Sequence, residues 1–232
     1  MILAVTGLQR ERRILVGPGV VVVAGGGDQA RLEGDVERLA SGTRGIISIG
    51  IAGALAPGLR PGRWVVATAV GDDGIKLPTD PDWSGRLVSR LPEAVRGMVL
   101  GVDSVAATAV QKDELRRSSG AIAVDMESHV AARVARRRGV PFAAARVISD
   151  AAHRTLPPAA RVGMRADGGV DLPAVLRSLM AAPGQLPALI RTGLEAETAF
   201  RALLRGHRLL GPGLAGPGLG GPDVGELSSD MV

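Results

Sequence analysis

Short β-branched runs alternate with helical patterns along most of this chain, and that alternation restricts the folds open to it. Candidate strands are Ile2–Thr6, Val20–Ala24, Gly45–Ile51, Arg63–Val70, Gly97–Val102, Ala121–Asp125 and Phe142–Ile148. Candidate helices are Asp28–Ala40, Asp82–Leu91, Lys112–Ser118, Glu127–Arg138 and Leu172–Met180, with Asp28 and Asp171 read as N-caps. This order predicts a three-layer α/β/α domain over residues 1–182, built on a mixed, mostly parallel central sheet. Ligands of such sheets gather at the carboxyl ends of the strands. That rule directs attention to Gly7, Ile51–Gly53, Asp125–Glu127 and Ser149–Asp150.

Composition narrows the partners. Hydrophobic residues are 46% of the 232, ample for one core. Every apolar run is broken before the roughly 18 to 20 residues a membrane span needs. At the N-terminus the apolar stretch precedes the charges, the reverse of a secretory signal, so it reads as a buried strand. The absence of cysteine suits a cytoplasmic setting and excludes disulfides and thiolate metal sites. The net charge of +5 comes almost wholly from arginine, lysine occurring only at Lys76 and Lys112. With two Trp and two Phe as the only aromatics and no recognition motif, no nucleic-acid partner is expected. His129, His153 and His207 show no ligand spacing, so no metal is expected.

Residues 183–210 form a long helical pattern in which arginines interleave with Leu, Ile and Phe. It reads either as a last helix packed on the sheet or as a basic amphipathic surface resting on anionic lipid. Residues 211–232, rich in Gly and Pro, read as a disordered tail. Gly25–Gly27 before Asp28 imitates a phosphate loop. It lacks the Walker lysine and the full Gly spacing, and reads as a plain strand–helix turn.

The densest chemistry lies in GAIAVDMESHVAARVARRRGVPFAAARVISD, residues 120–150. One strand ends in Asp125-Met126-Glu127 and the next carries Arg146 and ends in Ser149-Asp150. Spacing alone leaves two readings open: carboxylates converging on a ligand, or acids that only cap the following helix.

AVDMES followed by RVISD, with SIGIAGALAPGLRPGRWVVA at 48–67 and VTGLQRER at 5–12, resembles the purine nucleoside phosphorylase and methylthioadenosine/adenosylhomocysteine nucleosidase superfamily. GLxxE near the start, GIAG, DMESH and SDAAHRTLPPAA resemble its hopanoid-associated phosphorylase branch. The resemblance implies cleavage of a purine nucleoside with release of adenine, from adenosylhopane in hopanoid synthesis. The alternatives are a soluble methylthioadenosine or adenosylhomocysteine nucleosidase, or a non-catalytic nucleoside-binding protein. It further implies that Asp150 is the general acid at purine N7, worth roughly 10²–10⁴-fold. Glu127 would grip the ribose hydroxyls and Met126 would pack on the sugar. Arg146 would orient phosphate or hold an acid in place. Ala52 and Gly53 would lie against the base, with Asp125 and Ser149 beside the substrate. A homo-oligomer is implied as well.

The nucleophile stays open at this point. Ile51 stands where relatives carry a hydroxyl residue. Glu11 offers a base to orient water, whereas Arg12, with Gly7, offers a phosphate site. The arginine tips the expectation toward phosphorolysis. No cofactor is then needed beyond inorganic phosphate as co-substrate.

Overall fold

The computed structural model describes residues 1–162, 169 and 171–217. In chain order the elements are β1 (Ile2–Thr6), α1 (Gln9–Leu15), β2 (Val20–Ala24), α2 (Gln29–Leu39), β3 (Ile46–Ala54), β4 (Trp64–Asp72) and β5 (Ile75–Pro78). They continue with α3 (Pro81–Arg90), β6 (Val95–Gly101), α4 (Ala109–Ser119), β7 (Ala123–Asp125), α5 (Ser128–Arg138) and β8 (Phe142–Asp150). The last are α6 (Pro158–Val162), α7 (Leu172–Ala181) and α8 (Leu186–Leu210), with 3-10 turns at Pro183–Gln185 and Pro212–Ala215.

The mixed α/β architecture matches the sequence reading. Pairs β1–β2, β1–β3, β3–β8, β4–β6 and β6–β7 are parallel, and β3–β7, β4–β5 and β4–β8 antiparallel. Strand β8 pairs on one side with β3 and on the other with β4, so β3, β8, β4, β6 and β7 close into a ring. One apolar cluster, with Leu32, Val36, Val130 and Val134, joins α2 and α5 to the sheet. A second, with Leu15, Trp83, Leu87 and Leu203, joins α1, α3 and α8 to it.

Strands β3 and β8 run past their apolar stretches, to Ala54 and Asp150, because each supplies the other's backbone partners up to Gly53 opposite Asp150. Three elements escaped the sequence reading. Helix α1, QRERRIL, is too charged to show an apolar period, β5 is a four-residue edge strand, and α6 is a single turn. The Gly25–Gly27 turn is the plain connection expected: Asp28 accepts the Arg31 N–H at 3.0 Å and caps α2.

The C-terminal helix is not separate from the domain. Ala199, Phe200, Ala202 and Leu203 of α8 are buried, and a Cβ on Gly206 would come within 2.3 Å of the Trp64 ring. Residues 211–217, expected as the start of a disordered tail, are ordered against the core. Leu214 is buried, and Trp83 Nε1 donates to its carbonyl at 3.0 Å, giving an apolar Leu-Ala pair a fixed partner. The rest of that expected tail, 218–232, lies outside the described residues.

Candidate active site

The first loop folds back on its own strand through Glu11, which is 1% exposed. Its Oε2 accepts hydrogen bonds from Thr6 Oγ1 (2.5 Å), Gly7 N (2.9 Å) and Leu8 N (2.6 Å). Its Oε1 accepts the main-chain N–H of Ile51 at 2.6 Å. Four donors therefore fix one carboxylate between the ends of β1 and β3, which offsets the cost of burying it.

Beside it lies an arginine among acids. Arg146 is fully buried in β8, its Nε 2.6 Å from Asp125 Oδ2 and its Nη2 3.5 Å from Glu127 Oε2. Nη2 also donates to Ser48 Oγ, and Ser128 Oγ donates to Asp125 Oδ2. Asp125 Oδ1 accepts the N–H groups of Glu127 (3.2 Å) and Ser128 (2.9 Å), so this acid caps α5 and anchors the arginine together. Burial pushes the Glu127 carboxyl up to about 8 against the pull of Arg146, and Asp125 and Glu11 push the same way. Burial works against the Arg146 charge too, but Asp125, Glu127 and Glu11 outweigh it and raise its pKa.

Glycines make room for this convergence. A Cβ on Gly50 would stand 2.4 Å from Glu11 Oε1 and 2.8 Å from Arg146 Nη1, and one on Gly7 would stand 2.6 Å from Glu127 Oε1. No real side chain fits at either distance.

Asp150 closes the far side at the end of β8, its side chain 11% exposed. Ser149 Oγ lies 2.7 Å from Asp150 Oδ1 and 3.1 Å from the Ala52 carbonyl. Lys112, at 1% exposure, donates to Asp150 Oδ2 and to the carbonyls of Ala151 and Arg154, each at 3.1 Å. Gly53 sits directly against the acid, a Cβ there falling 3.3 Å from Asp150 Oδ2.

These groups border one cavity of about 460 Å³. Gly7, Glu11, Ala52, Gly53, Asp125, Met126, Glu127, Ser149 and Asp150 all line it. Arg146 does not; it lies sealed behind the carboxylates it pairs with, so of the two roles expected for it only holding acids fits its position. Arg12 is exposed on α1 and is not part of the lining, which removes the phosphate contact expected of it. From the acids the cavity runs outward along Leu156, Leu172, Val175 and Leu189. His129 is buried with Nε2 3.0 Å from Asp103 Oδ1, His153 is exposed, and neither lines the cavity. Burial, then Arg208, lowers the His207 pKa, and it too lies outside the lining.

Sequence reasoning missed Lys112, Ser48, Ser128 and Thr6. A signal existed for the first: a lysine kept in a chain whose other cations are nearly all arginine.

The family model of the phosphorylase superfamily matches residues 21–167. Comparison with curated proteins gives no match. Among solved structures, the chain is similar to the Helicobacter pylori 5′-methylthioadenosine/S-adenosylhomocysteine nucleosidase, with 17% identity and a TM-score of 0.62, over 90% of this chain and 95% of that one. It is similar to the Streptococcus pyogenes S-adenosylhomocysteine nucleosidase (17%, TM-score 0.57, 87% and 95%). It also resembles the Helicobacter pylori futalosine hydrolase (18%, TM-score 0.58, 88% and 96%). At these identities the likeness establishes the fold.

Proposed function

The chain belongs to the phosphorylase superfamily, and from that premise we propose that it hydrolyses the N-glycosidic bond of an adenine nucleoside bearing a large apolar 5′ group. The observation that carries this reading is the set of three carboxyls, Glu11, Asp125 and Glu127, gathered around the single guanidinium of Arg146. With Glu127 raised to about 8 and so protonated near neutrality, Glu11 and Asp125 still outnumber the one guanidinium, and that excess at the cavity wall stabilises a cationic, oxocarbenium-like sugar. It repels a phosphate anion. Among the described residues the cavity's one basic lining group is Arg161 on α6, an exposed residue.

In this mechanism Asp150, as the acid, gives its proton to purine N7 while the bond from the anomeric carbon to N9 breaks and its electron pair leaves with the base. Glu127 receives the ribose hydroxyls and Met126 packs on the sugar. Water adds to the anomeric carbon, and its proton passes to Glu11. Oε1 of Glu11 takes one donor from the protein, Ile51 N–H, and so keeps a lone pair for that water. Hydrolysis replaces the phosphorolysis that the sequence favoured, since Arg12 stands away from the cavity.

The apolar outer lining supports adenosylhopane as substrate: adenine and ribose would meet the acids at the inner end, and the hydrocarbon would leave the cavity past Leu172, Val175 and Leu189. A membrane contact fits the same picture, moved from the arginine-rich half of α8 to the hairpin of α7 and the start of α8. There Leu172, Leu176, Met180, Leu186, Ile190 and Leu194 are exposed. Residues 172–194 contain Arg177 and Arg191 and no acid, which matches an anionic lipid surface. Chromatography of adenine released from 5′-alkylthio adenosines of rising chain length tests the reading. Release that improves with chain length supports it; a preference for methylthioadenosine would favour the soluble nucleosidase instead, and no adenine at all would refute both.

A further inference from the structure

Lys112 is one of only two lysines among 28 basic residues, and it is 1% exposed. It sits in the first turn of α4, where Thr108 and Gln111 form a capping box. That helix start is stapled to the chain beyond β8: Leu156 N donates to Ala107 O at 2.7 Å, and Ala109 N to Thr155 Oγ1 at 3.2 Å. The ammonium is thereby brought to Asp150.

All three of its N–H donors are used, on Asp150 Oδ2 and on the carbonyls of Ala151 and Arg154. Lys112 does not line the cavity, so it has no contact to offer a substrate. The other oxygen of Asp150 is held by Ser149 Oγ at 2.7 Å. We propose that Lys112 is a positioning residue for Asp150: it fixes the carboxyl plane toward the leaving base and pairs with the charge left when the proton departs.

This rests on the reading of Asp150 as the acid at N7. Proton delivery to a ring nitrogen is directional, and a misplacement of about 1 Å can cost about 10²-fold. Asp150 takes up a proton from solvent and passes it to N7, and that transfer returns negative charge to its carboxyl in a poorly solvated place. A fixed ammonium on Oδ2 stabilises that carboxylate without any reorganisation. An arginine would bring a planar fork that cannot send three donors to three separate acceptors around one nitrogen.

The test exploits a leaving group that needs no proton. Rates are compared for adenine release from 5′-hexylthio-adenosine and for nitrophenol release from 4-nitrophenyl β-D-riboside. For K112M, adenine release is expected to fall about 10- to 100-fold, with nitrophenol release within about threefold of wild type. Equal losses on both substrates would make Lys112 merely structural and overturn the proposal. D150N is the control: no discrimination between the substrates there would overturn the assignment of Asp150 itself, a distinct failure. Should the stranded carboxylate prevent K112M from folding, D150N and D150N/K112M are compared. Equal adenine release supports action through Asp150, and a further tenfold loss in the double variant refutes it.

Discussion

Oε1 of Glu11 accepts the main-chain N–H of Ile51 at 2.6 Å, across 40 residues of sequence. The Thr6 hydroxyl and the main-chain N–H groups of Gly7, Leu8 and Ile51 together hold this acid. Glu11→Gln puts an amide donor where four donors converge. It is expected to lower adenine release at least about 10²-fold, in the range seen when a general base is lost. Ile51→Val keeps the N–H and is expected to stay within about threefold, at a stability cost of about 0.5–1.5 kcal/mol. Steady-state rates and thermal melts of both variants check this.

Gly50 faces Glu11 and Arg146 at distances no Cβ tolerates, 2.4 and 2.8 Å. Gly50→Ala is thus expected to displace both side chains at once. Overpacking of this kind costs about 1–3 kcal/mol. The accompanying loss of adenine release should exceed tenfold, because Glu11, the acid proposed to orient water, moves. A variant that melts and turns over like wild type would show that the site is looser than its geometry.

Glu127 carries a pH signature. Its carboxyl is raised to about 8 in the folded chain, first by burial, with Asp125 and Glu11 adding to it. The folded state then binds a proton that the unfolded chain releases near its ordinary value of about 4.3. That contribution to stability is fully present below the unfolded value and is lost as pH rises through about 8. Glu127→Gln cannot ionise, so relative to wild type it should gain at least about 1 kcal/mol between pH 5 and pH 8, one pKa unit being about 1.4 kcal/mol. Denaturant unfolding at the two pH values measures it, and parallel changes in both proteins would contradict the assignment.

Much of the site was legible because strand ends are legible. Ala121–Asp125 and Phe142–Ile148 announce themselves by β-branched and small apolar residues, and Glu127 and Asp150 each follow two residues after the strand so read. What sequence could not show is convergence. Lys112 meets Asp150 only because α4 is tied to the segment after β8, and Ser48 meets Arg146 only because β3 and β8 pair. Arg12 misled for the opposite reason: one residue after Glu11 on a helix, it points about 100° away, toward solvent. The ordered residues 211–217 were hidden by their Gly and Pro content, since their order comes from Trp83 and not from local propensity.

The hairpin of α7 and α8 yields its own test. Leu176→Glu with Ile190→Glu places acids among exposed apolar residues and the lone pair of arginines. Flotation with vesicles containing anionic lipid should fall at least fivefold for this variant, and wild-type binding should weaken with salt. If wild type does not float, and light scattering shows the variant dissociating an oligomer, a second copy of this chain covers the hairpin and the lipid reading fails.

In the proposed reaction water, not phosphate, reaches the anomeric carbon beside Glu11. A 5′-alkylthio adenosine is incubated in ¹⁸O-water with and without inorganic phosphate, and the sugar product is read by mass spectrometry. Hydrolysis predicts adenine at the same rate in both, with one ¹⁸O in the released sugar. A sugar 1-phosphate, formed only when phosphate is present, would contradict it.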